Sequence, residues 1–131
     1  LTDAKVRAHE QAHLSVGGDL VIGGPSFSYE AGPDRRLYAV SGEVSIDTTP
    51  GRTPEETIPK AQHIRATALA PAEPSSQDQS VAAQASQMEV EARLEMALQQ
   101  RARDSDQGSS RGYRSVAGES LQIGGLLDAF A

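Results

Sequence analysis

The stretch Thr2-Asp3-Ala4-Lys5-Val6-Arg7-Ala8-His9-Glu10-Gln11-Ala12-His13-Leu14-Ser15-Val16-Gly17-Gly18 decides how the chain starts to fold and what it can bind. Thr2 or Asp3 can cap a helix by accepting a hydrogen bond from one of its free N–H groups. Val6, His9, His13 and Val16 then recur at helical spacing and share one face. Gly17-Gly18 stops the helix, because glycine tolerates the left-handed turn that follows a C-terminus. The pattern predicts a helix from Thr2 or Asp3 to about Val16.

Beyond the double glycine the pattern changes to strands. Leu20-Val21-Ile22 is short and rich in β-branched residues, and Gly23-Gly24-Pro25 breaks it. Phe27 to Glu30 alternates, Gly32-Pro33-Asp34 signals a turn, and Leu37 to Ile46 alternates again. These segments predict a β-hairpin with its loop near Gly32 to Arg36. On the second strand Tyr38, Val40, Val44 and Ile46 are expected on one face, and Ala39, Ser41, Glu43, Ser45 and Asp47 on the other. Thr53 caps a second helix, with Pro54 in its first turn, that runs to about Leu69. Pro59 is an early irregularity able to delay its true start. Ser75 or Ser76 caps a long polar helix from about Gln77 to Arg103, with a thin stripe of Val81, Ala85, Met88, Ala92 and Leu94 to Leu98. Such a stripe fits a helix lying across the domain better than one paired with another helix. The expected fold class is α+β: a short antiparallel hairpin packed by the first helix, then two helices. Residues 1–103 form the domain, 104–120 a flexible linker, and 121–131 a small amphipathic tail bearing Leu126, Leu127 and Phe130.

At 131 residues, 37% of them hydrophobic and 4% aromatic, the chain can bury one modest core and no more. A net charge of -6 argues against nucleic acid and anionic membranes, since both need a basic surface. No stretch approaches the roughly 20 apolar residues of a membrane span. With no cysteine, any metal must be held by histidine and carboxylate. The opening Leu1-Thr2-Asp3 shows no signal-peptide pattern and reads as a cut end, which leaves the compartment undetermined.

Two of the three histidines fall in His9-Glu10-Gln11-Ala12-His13. Residues four apart sit nearly above one another on a helix, so His9 and His13 can meet one tetrahedral ion at about 2.0–2.1 Å. Glu10, one step round, stands near the ion without binding it and can take a proton from a water the ion acidifies. The motif predicts one zinc ion and hydrolysis of a peptide or protein substrate. The competing expectation is a metal-binding or interaction domain without catalysis. For a third ligand Glu43 is the first choice, because it stands in an otherwise apolar strand beside Gly42, which permits close approach of another segment. Asp47 shares its strand face; His63, on a polar helix, is the next alternative, ahead of Glu30 and Asp19. Tyr38 and Tyr29 are candidate donors to an oxyanion, although a hairpin tyrosine more often just packs its ring. Arg35 and Arg36 read as solvated turn residues.

Val6 to His13, Gly17-Gly18, Gly24-Pro25-Ser26, Gly32-Pro33-Asp34, Tyr38 to Asp47 and Ala68 to Asp78 together resemble the SprA-related family over roughly residues 3 to 100. Its members are bacterial proteins assigned as metalloproteases mainly from the same HExxH motif. The resemblance implies His9 and His13 as ligands and Glu10 as general base. It also strengthens Glu43, which falls in a characteristic Gly-Gly-Glu-Val-type segment. The chain departs from the family at Ser41, where Gly is usual, at Phe27, where Tyr is common, and at Arg35, where a hairpin Gly is typical. The last departure implies a longer or different turn.

Overall fold

A computed structural model describes residues 2–118, so the expected tail at 121–131 lies outside the described residues. The architecture is α+β, with a two-stranded antiparallel sheet and three helices. Contacts divide the chain into two units, Leu1–Arg93 and Leu94–Ala131, and the first holds everything discussed under the site.

Helix α1 spans Asp3–Gly17, and Thr2 caps it by accepting from the Lys5 N–H at 3.3 Å. The double-glycine exit divides its work. Gly18 takes the left-handed φ of 49°, while a Cβ on Gly17 would sit 2.7 Å from Val21 and 2.8 Å from Thr67. Absence of a side chain there lets α1 lie directly against the end of the second helix. A single 3-10 turn, Gly18–Leu20, leads into the sheet.

Strand β1 spans Val21–Ala31 and β2 spans Leu37–Ile46. The predicted break at Gly23-Gly24-Pro25 is a bulge inside one strand: Ile22 pairs with Ser45 and Ser26 with Glu43, leaving the intervening residues of β1 in excess. A second shift changes the expected faces of β2. Ser28 pairs with Ser41 but Tyr29 with Ala39, so Val40 is the extra residue. One extra residue inverts the alternation. Ala39 is consequently buried and Val44 and Ile46 half-buried, whereas Tyr38 and Val40 are exposed. The Ala39 N–H donates to Asp3 Oδ1 at 2.6 Å, tying the bulge to the start of α1.

The hairpin closes as a three-residue loop. Arg35 N–H donates to the Gly32 carbonyl at 3.0 Å and Gly32 N–H to the Arg36 carbonyl at 2.9 Å. Arg35 itself sits at φ 66°, the left-handed position that such a turn normally fills with glycine.

Helix α2 spans Pro54–Ala68 with Thr53 as cap, so Pro59 lies inside it and delays nothing. At that position the ring removes only the bond to Glu55, one turn from the start. Helix α3 spans Ser76–Gly118, continuing through the segment expected to be a linker. No proline follows Pro74, and Gly108 and Gly112 each cost a helix only about 1 kcal/mol. Among the described residues no helix is long and apolar enough to cross a membrane.

The core is small and alanine-rich. Ile64, fully buried, packs with Leu20 and Ala85, against partly buried Ile46, Val81 and Met88. Ala61, Ala68 and Ala82 are also buried, which allows close helix packing. Arg65 crosses from α2 to α3 with a 2.8 Å ion pair to Glu89. The stripe on α3 ends early: Ala92 is buried, but Leu94 and Leu98 are 59% and 53% exposed.

Candidate metal centre

Helix α1 brings His9 and His13 to one face with ring centroids 5.0 Å apart. The group facing them comes from α3. Asp78 accepts from His9 Nε2 at 2.9 Å and lies 3.1 Å from His13 Nε2, one carboxylate oxygen to each ring. His9, His13 and Asp78 each offer a ligand atom within 4.8 Å of the others. Ligands about 2 Å from a tetrahedral ion stand roughly 3.3 Å apart, close to the two His–Asp distances here.

His13 is the better anchored imidazole. Its side chain is 3% exposed, against 20% for His9. Its Nδ1–H donates to the Thr67 carbonyl at 2.8 Å, near the end of α2. A carbonyl can only accept, so this bond fixes the proton on Nδ1 and turns Nε2 toward Asp78. The bare Cα of Gly17 is what lets Thr67 come this close to α1.

Asp78 is itself held by its helix end. Ser75 Oγ accepts from the Asp78 N–H at 3.0 Å, and Asp78 Oδ2 accepts from the Ser75 N–H at 2.8 Å. This reciprocal pair is a capping box, with Asp in the place more often taken by Glu. Asp78 is not among the residues expected at the site from the sequence, although Ser75-Ser76-Gln77-Asp78 carries the capping spacing.

Glu10 is 4% exposed, and its Oε2 has no hydrogen-bond partner among the described residues. Burial pushes its carboxyl above the usual carboxylate range, opposed by His9 and His13. Such an orphaned acceptor costs about 1–3 kcal/mol unless something meets it, which marks the position as one awaiting a donor. Gly42 forms the roof: a Cβ there would lie 2.8 Å from Glu10 Cγ and 3.0 Å from the Phe27 ring. The close approach expected beside Glu43 is thus real, and the segment approaching is Glu10.

The other expected site residues go elsewhere. Glu43 lines the same cleft but stands outside the three-residue cluster; with Gly42 facing Glu10, strand alternation turns its neighbour away. Asp47 pairs with Lys60 at 3.0 Å. His63 Nε2–H donates to the Val16 carbonyl at 2.7 Å. Tyr38 donates to Asp34 in the hairpin loop, and Tyr29 packs with Phe27 under the Arg7 guanidinium, so neither lines the cleft. Glu30 and Asp19 also lie outside the cleft lining.

The cleft measures about 410 Å³ and runs between α1, β2 and the start of α3. Every residue from Val40 to Ile46 lines it, both parities alike, and none from β1 does. Among the described residues β2 pairs only with β1, so its other edge has no strand partner.

An α+β domain with a helix-borne His-His pair facing an Asp, and a buried carboxylate beside them, defines a compact candidate metal centre. The chain matches the SprA-related family over residues 1–112 and belongs to it. No curated protein and no solved structure matches it.

Proposed function

We propose that this protein is a metal-dependent peptidase, with one divalent ion, zinc in the first instance, held by His9, His13 and Asp78. The buried, partnerless Glu10 Oε2 beside three convergent ligand groups carries the reading. Neutral imidazoles and a carboxylate without thiolates suit zinc among other divalent ions. When bound, the ion would acidify a water and polarise a carbonyl. Glu10 then accepts the proton of the attacking water and returns it to the departing amine. Its burial shields it from bulk solvent. Thr67 holds His13 in the tautomer that leaves Nε2 free. The open edge of β2 offers hydrogen-bonding groups to an extended polypeptide, which suits a peptide substrate.

A second reading has an observation of its own. Asp78 also caps α3 through Ser75, so an ion at this cluster would fasten α3 to α1. A purely structural metal needs nothing from Glu10. Replacing Glu10 by Gln separates the two. For a peptidase, turnover of a peptide library by the zinc-loaded protein falls roughly 10²- to 10⁴-fold while zinc stays bound. Zinc-loaded wild type that cleaves nothing supports the structural role instead.

A further inference from the structure

Glu43 is exposed on the cleft wall and has no hydrogen-bond or ion-pair partner among the described residues. The other two carboxylates of the wall are already committed. Asp78 faces both imidazoles and the Ser75 amide, and Glu10 is buried behind them. Among the described residues no lysine or arginine lines the cleft. Glu43 stands close enough to Glu10 for the two carboxylates to repel. The orphaned Oε2 of Glu10 independently marks the cleft as a place built to receive a ligand.

We infer that Glu43 selects a polypeptide carrying a basic side chain, Lys or Arg, in the segment lying along β2. The inference rests on the peptidase reading for the identity of the ligand but not on turnover. An extended chain on the free edge of β2 presents alternate side chains at fixed intervals. One of them falls beside Glu43, where a cation relieves the local excess of negative charge and an acidic side chain adds to it. Selectivity arises from both, attraction for Lys or Arg and repulsion of Asp or Glu. The overall charge of -6 acts in the same direction at longer range.

The test uses the zinc-loaded Glu10→Gln full chain, which binds without cleaving, and three fluorescent peptides differing at one position as Lys, Gln or Glu. Anisotropy should give the order Lys, then Gln, then Glu, with about a two- to fivefold step from Lys to Gln, as expected for one exposed charge pair. That step should shrink toward unity in high salt. Adding Glu43→Gln should remove it, and Glu43→Lys should invert the order so that the Glu peptide binds best. Equal binding of the three peptides, or a Lys preference that survives Glu43→Gln, overturns the inference. Wild-type protein that cleaves none of the peptides overturns the peptidase reading alone, since the binding order is measured without turnover.

Discussion

The two walls of the cleft are built in opposite ways. The helical wall, from α1 and the start of α3, is internally bonded around buried Glu10 and His13: His13 to Thr67, both imidazoles to Asp78, Asp78 to Ser75. The strand wall, β2 from Val40 to Ile46, is largely exposed and has an unpaired edge. Rigid groups whose orientations are fixed by second partners suit an ion, which demands set geometry. A free edge with an uncompensated Glu43 suits a chain that arrives from solution. On the proposed reading, one wall holds the ion and the other meets the polypeptide.

The helical wall should be the fragile one. Ile64 is fully buried beneath it, in a core with few other large side chains. Ile64→Ala should cost about 3 kcal/mol in urea unfolding, because so small a core has little with which to refill the cavity. An equivalent truncation of exposed Val40 should cost well under half that. Equal losses would erase the contrast between the walls.

Gly42 is where the walls touch. A Cβ there meets Glu10 Cγ at 2.8 Å, so Gly42→Ala must move Glu10 or the strand. Stability should fall by about 1–2 kcal/mol. Turnover should fall tenfold or more while zinc affinity is kept, because the nearest atoms to that Cβ belong to Glu10 and Phe27 and not to His9, His13 or Asp78. A variant with full turnover would show that Glu10 has more freedom than this packing allows.

Much of this was legible along the chain, and what was not has definite physical causes. The cap, the histidine spacing and the glycine exit of α1 are all local, and they appear as the sequence predicts. The faces of β2 were misassigned because a bulge is a property of two strands, and nothing in Tyr38-Ala39-Val40-Ser41 alone reveals that Val40 lacks a partner. Glu43 lines the cleft outside the His9, His13 and Asp78 cluster, a placement that one strand alone does not reveal. Nothing along the chain marks Asp78 as a ligand candidate, because its approach to His9 depends on how the start of α3 packs against α1. Local signals find the half of a site carried by one helix; the other half comes from packing.

The smallest effect concerns the tip of the strand wall. Arg35 holds a φ of 66°, which costs a non-glycine residue about 1 kcal/mol. Arg35→Gly removes that strain but adds freedom to the unfolded chain, so a net gain of about 0.5 kcal/mol is expected by thermal unfolding. It should leave the cleft unaltered. A loss of stability would mean the Arg35 side chain contributes more than its backbone strain takes away.

The central claim is that His9, His13 and Asp78, not Glu43, hold the ion. Calorimetric titration of zinc into wild type, Asp78→Ala and Glu43→Gln tests it directly. The account predicts one ion per chain, affinity at least tenfold weaker in Asp78→Ala, and wild-type affinity in Glu43→Gln. Undiminished binding in Asp78→Ala, or a loss confined to Glu43→Gln, would contradict it.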